Sequence, residues 1–134
     1  MPCISTTRSC PQGRVREAGG REDRFDEVAG GGFVVLCTVP PGGILDGPRE
    51  AMLDRIGARL IYLVEPGAEA PPTAPWRTVA DIEGVLLREL RSRGCAVAVI
   101  RPDHYYFGAG TDLSAVPALI DALAHSLGLP APAA

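Results

Sequence analysis

The residues able to carry chemistry are few and scattered: Cys3, Cys10, Cys37 and Cys95, the histidines His104 and His125, and a proline turn flanked by opposite charges, Arg101-Pro102-Asp103. Dithiol exchange needs two cysteines at a helix start, where the N-terminus lowers a thiol pKa, and a proline before the strand that faces them. Neither part is present. No two cysteines have CxxC spacing, the stretch TVPPGGILDGPRE at 38–50 holds no thiol, and Gly94-Cys95 occupies the place before the strand at 97–100. The same spacing excludes a zinc ribbon. Cys37 and Cys95 sit in apolar runs and read as buried small hydrophobes, whereas Cys3 and Cys10 lie in a polar N-terminal tail, where a disulfide between them is a minor alternative.

His104 stands next to Asp103 in the turn and has the elements of an acid/base group, but no motif places a serine or cysteine nucleophile beside it; a solvated corner histidine is the simpler reading. His125, near the end of the last helix, suits the helix dipole. With no HxxxH and no carboxylate cluster, a metal site lacks support. Gly30-Gly31-Gly32 precedes a strand instead of opening a helix, so it forms no phosphate cradle.

Arg101 and Asp103 can pair across the turn, either to hold the corner or to reach a neighbouring domain. Tyr105, Tyr106 and Phe107 alternate across a strand, so an exposed tyrosine offers a docking surface unless it packs under the last helix. Trp76 ends the proline-rich loop 65–76 and either pins that loop to the core or acts as a binding hot spot. The structural or docking candidates are therefore Arg101, Pro102, Asp103, His104, Tyr105, Tyr106 and Trp76. No residue is assigned a catalytic, cofactor-binding or metal-binding role.

The elements that must position these residues follow from periodicity. Apolar runs at 33–39, 60–64 and 97–100 read as buried strands, and Tyr105-Tyr106-Phe107 starts a fourth that returns as a hairpin. Pro48 opens a helix that ends at Gly57, residues 78–93 read as a second helix stopped by Gly94, and 115–127 as a third with Pro117 in its first turn. Residues 1–24 lack periodicity and read as a flexible arm, and 129–134 as a disordered tail. The order β-α-β-α-β-β-α over 25–128 is that of a single α/β domain of the thioredoxin-like fold.

RPDHYYFG at 101–108, PQGRV at 11–15 and RFDEVAGGGFVVL at 24–36 resemble the C-terminal thioredoxin-like domain of FAD-dependent aromatic hydroxylases. The resemblance covers about residues 11–127 and implies the same fold, a non-redox role, and an arm that was an interdomain linker. It also implies a parent activity using FAD and NAD(P)H. The chain itself has no GxGxxG after a leading strand and is too short for a flavin domain plus a substrate domain, so no cofactor is expected in it. The resemblance thus implies a non-catalytic module, a separated or truncated piece acting with a flavin-bearing monooxygenase chain or self-associating. The alternative is a free-standing binding or scaffold protein of thioredoxin fold without redox activity.

The formal charge of −3, with all 13 basic residues arginine, gives no electrostatic footprint for nucleic acid or anionic lipid. No run is long and apolar enough to span a membrane and no secretory leader is apparent, so the cytoplasm is the default address.

Overall fold

The computed structural model describes residues 9–17, 20–40, 47–66 and 77–129. Trp76, the proline-rich loop before it, and the tail from residue 130 lie outside the described residues. The strands are β1 (Arg14–Glu17), β2 (Glu22–Arg24), β3 (Val34–Cys37), β4 (Arg59–Val64), β5 (Arg77–Asp81), β6 (Val97–Ile100) and β7 (Tyr106–Gly110). The helices are α1 (Phe25–Ala29), α2 (Gly47–Arg55), α3 (Val85–Ser92) and α4 (Val116–Ser126), the last preceded by a 3-10 turn at Leu113–Ala115.

Every residue of β3 and β6 is buried, which explains why VVLC and VAVI lack polar alternation: helices cover both faces of the sheet. Val34 and Leu36 pack with α1 and α3 on one face, through Phe25, Val28, Leu86 and Leu90. Val35 and Cys37 pack with α2 and α4 on the other, through Met52, Leu53, Ile120 and Leu123. Each such aliphatic side chain taken fully out of water contributes about 1.5–3 kcal/mol. On the second face the guanidinium of Arg49 in α2 forms a two-pronged pair with Asp121 in α4, at 3.0 and 2.7 Å.

The sheet order is β2-β1-β5-β4-β3-β6-β7. β3 and β4 run parallel, joined through α2, while β6 is antiparallel to β3 and forms the expected hairpin with β7. The α/β thioredoxin-like class stands, but its order is longer than expected in two places. Residues 14–17 and 22–24 are not a loose arm: they form a hairpin that continues the sheet, with β1 antiparallel to β5. Only Val15 of RVRE points inward, fully buried between exposed arginines, so a single apolar residue holds this strand in the sheet. The segment 78–93 is not one helix either. Its first part is β5, and the helix starts only at Val85. Asp81, fully buried, ends the strand and accepts hydrogen bonds from the N–H groups of Gly84 (3.0 Å) and Leu87 (2.8 Å), capping α3 from its own preceding strand.

Because β3 and β4 run parallel and β6 opposite, the sheet has two distinct ends. One carries the C-terminus of β3, the starts of α2 and α4, and Cys95-Ala96. The other carries Phe33, the β6–β7 corner and the C-terminus of α4.

Candidate functional site at the hairpin corner

Pro102 and Asp103 turn the chain between β6 and β7. The N–H of Arg101 donates to the Tyr105 carbonyl at 2.8 Å and that of His104 to the Arg101 carbonyl at 2.9 Å, so the corner closes on its own backbone. The Arg101 guanidinium donates to Asp103 at 2.7 Å, while the other Asp103 oxygen accepts the Tyr105 N–H at 3.2 Å. The pair spans the turn and both side chains remain about half exposed.

His104 takes φ 71°, the only non-glycine in the left-handed region among the described residues. Its surroundings hold it there: its carbonyl accepts the Cys10 N–H at 2.6 Å, and its Nε2 lies 3.9 Å from a carboxylate oxygen of Asp26 in α1. Asp26 also receives the Arg24 guanidinium at 3.0 Å, and this hydrogen bond, ahead of the Coulomb attraction, holds its carboxyl below the usual range. Gln12 accepts the Asp26 backbone N–H at 2.9 Å, and Ser9 bridges Tyr105 in antiparallel sense. The N-terminal segment is thereby laced to the corner.

The three aromatics separate. Tyr106 is fully buried on the α1/α3 face, in the same buried cluster as Cys10. Tyr105 is 42% exposed. Between them and the rest of β7 lies a bulge: Val99 faces Gly108 and Ile100 faces Tyr106, leaving Phe107 as the extra residue. Phe107, Phe33 and Leu127 line an open groove of about 590 Å³ whose rim includes Arg101, Asp103 and Ser126. Of the sequence candidates, Arg101, Pro102, Asp103 and Tyr106 border this groove, whereas His104 and Tyr105 do not. Leu127 and Phe33 were missed because they adjoin the corner only through the fold; the signal available was the apolar residue at the end of the α4 stripe.

At the opposite end Thr38 donates its N–H to the Ala96 carbonyl at 2.9 Å, and no cis peptide bond occurs among the described residues. Cys37 is a free, fully buried thiol whose pKa burial pushes up to about 12, the reverse of an activated thiolate. Cys10 is likewise free and buried, pushed up to about 12 chiefly by burial, so it makes no disulfide with Cys3. Cys95 is buried as expected but is disulfide-bonded, more than a packing residue. Among the described residues no three His, Cys, Asp or Glu side chains gather to hold a metal, and no helix is long and apolar enough to cross a membrane.

A family model, the HcaD C-terminal domain, matches residues 7–126. The chain belongs to this family. A probable NADH-specific resorcinol 4-hydroxylase from Rhodococcus jostii (strain RHA1) is 32% identical over 111 residues, covering 81% of this chain but 20% of that protein. The chain therefore spans about a fifth of that relative's length. Among solved structures, the flavin-dependent monooxygenase PieE, determined with FAD and substrate, matches with a TM-score of 0.60 at 20% identity, over 91% of this chain and 20% of that one. A thiol:disulfide interchange protein from Bacteroides sp. matches with a TM-score of 0.66 at 10% identity, over 94% of this chain and 92% of that one. These likenesses to solved structures carry the thioredoxin-like fold, and the family and the resorcinol hydroxylase relate it to flavin hydroxylases.

Proposed function

We propose that this chain is a non-catalytic module that works beside the FAD-bearing and substrate-bearing part of an aromatic monooxygenase, binding neither FAD nor NAD(P)H itself. The observation that carries this reading is a contrast in coverage: the stretch aligned with the resorcinol hydroxylase takes in 81% of this chain yet only 20% of that protein, so four-fifths of that protein lies outside the stretch and is free to hold its hydroxylase chemistry. Two features support it. At the end where thioredoxin enzymes place their dithiol, Cys37 is a buried thiol with a raised pKa and Cys95 is held in a disulfide, and at the turn from β5 through Gly84 into α3 the Gly84 and Leu87 N–H groups are taken by the Asp81 carboxylate instead of being left for a pyrophosphate.

The test replaces the matching 111-residue stretch of the Rhodococcus hydroxylase with this chain. The chimera is expected to retain FAD and to oxidise NADH with resorcinol, while the isolated chain stays colourless after gel filtration with FAD. Near-stoichiometric flavin on the isolated chain, or a folded chimera devoid of flavin, overturns the reading.

A further inference from the structure

We infer that Cys3 is the disulfide partner of Cys95 and that residues 3–8 run along the outer edge of β7, a strap locked over that edge and released by a dithiol reductant.

The count of sulfurs is the first support. The chain has four cysteines, Cys3, Cys10, Cys37 and Cys95. Cys10 and Cys37 carry free thiols and Cys95 is disulfide-bonded, which within one chain leaves Cys3 as its partner.

The register is the second. Arg101 donates its N–H to the Tyr105 carbonyl at 2.8 Å from the β6 side, while Ser9 bridges Tyr105 in antiparallel sense and Cys10 donates its N–H to the His104 carbonyl at 2.6 Å. Ser9 therefore lies on the edge of the hairpin that faces away from β6, level with Arg101. Followed backwards from there, an antiparallel strand runs beside β7 toward Gly110. Cys3 stands six positions before Ser9, and Cys95 six before Arg101. At about 3.3 Å per residue both paths cover roughly 20 Å, so the two cysteines arrive at the same level of the sheet. At that level β7 no longer stands between them: the Ala96 N–H meets the Gly110 carbonyl at 2.9 Å, and past Gly110 the chain turns into the 3-10 segment Leu113–Ala115.

The nature of the edge is the third. Among the described residues β7 ends the sheet, with β6 on its inner side. Its sequence YFGAG has neither charge nor proline, the devices that keep an open edge from pairing with a second chain. A strap drawn from the same chain and held by a covalent bond takes their place. Release is a balanced exchange: the two sulfurs of the dithiol close a cyclic disulfide and give up two electrons and two protons, while the Cys3–Cys95 bond breaks and each of its sulfurs takes up one of each.

The test uses the whole chain purified without reductant, its free thiols blocked, and cleaved after arginine, where Arg8 separates Cys3 from Cys10. The peptide carrying Cys3 is expected to be linked to the one carrying Cys95, and the linked species to vanish in Cys3→Ser. Cys95 recovered as a blocked thiol, or joined to any other sulfur including Cys95 of a second copy, overturns the pairing. Backbone amide hydrogen exchange then reads the edge. The β7 amides are expected to exchange at least tenfold faster in Cys3→Ser, and in the parent after dithiothreitol, with the β6 amides unchanged. Equal β7 exchange in the oxidised and reduced chain overturns the strap, and if that chain is a dimer on gel filtration the edge belongs to a second copy instead. Exchange that rises equally through β6 reports a general loosening and overturns the edge assignment as well.

Discussion

At the end of the sheet where β3 terminates, every sulfur is put away: Cys37 is sealed under α2 and α4, Cys95 is held in a disulfide, and Thr38 is tied by its backbone to the segment that leads into β6. At the hairpin corner the situation is reversed. Polar side chains, a left-handed histidine, a bulge and the incoming N-terminal segment all meet there, beside an apolar groove. The difference teaches that a shared fold does not oblige a protein to use the same end of its sheet. Close packing lies at the β3-terminal end, and the open, polar-rimmed surface lies at the other.

The largest effect that would break this contrast concerns the thiols. With both pKa values pushed from 9.0 to about 12, the native thiolate fraction of Cys10 and Cys37 near neutral pH is about a thousandfold below that of the unfolded chain. Labelling with a disulfide reagent at pH 8 is expected to require unfolding, and insulin reduction with dithiothreitol to stay at the uncatalysed rate. A Cys37 that labels in the native state would reinstate redox chemistry at that end. The linkage sign is fixed as well: the unfolded thiols ionise first, so stability is intact below pH 9 and declines as pH rises toward 12.

The next test separates the body of the hairpin from its tip. Val99→Asp places an unpaired carboxylate at a position with no exposure and is expected to cost about 3 kcal/mol or more, against less than about 1 kcal/mol for His104→Ala. Urea denaturation of the pair measures both, and equal losses would mean that the corner is a structural keystone. A smaller change probes how tightly the β3-terminal end is packed. A methyl at Gly110 would collide with the Cβ of Ala115, whereas one at Gly108 meets only the flexible tip of Leu119 at 2.8 Å. Gly110→Ala is expected to destabilise by about 1–3 kcal/mol and Gly108→Ala by clearly less.

The smallest effect belongs to the corner electrostatics. Asp26 has a carboxyl pKa below its unfolded value of 3.8, chiefly through the Arg24 hydrogen bond. A depressed carboxyl contributes stability that is fully present above the unfolded pKa and is lost as pH falls through the folded one. Acid titration below about pH 4 is expected to destabilise the parent slightly more steeply than Asp26→Asn; coincident acid limbs would show that the Arg24–Asp26–His104 contacts are ornamental.

Much of the centre of the molecule was legible in the sequence, because β3, α2, β4, the β6–β7 hairpin and α4 each bury a face large enough to impose a period. The missed elements are those whose structure comes from elsewhere. β1 has one inward residue and owes its conformation to β5, far along the chain; β5 itself reads as helix until Asp81 is seen to turn back and cap α3. At the candidate site the Arg101–Asp103 pair could be read from two residues flanking a proline. The left-handed backbone of His104 could not, since what offsets its strain is Asp26 and Cys10 arriving from the N-terminal side. The groove was invisible for the same reason: its walls are adjacent only after folding.

The Arg49–Asp121 pair has a bearing on motion as well as on packing. Two-pronged and with the arginine side chain 13% exposed, it ties together the two helices that cover one face of the sheet. Neither α2 nor α4 can peel away without stranding a charge that the other had satisfied, so the two form a single opening unit on the timescale of local unfolding. A pull on the C-terminus of α4 is thereby felt along that layer at the start of α2, a mechanical connection between the hairpin-corner end of the sheet and the end where β3 terminates.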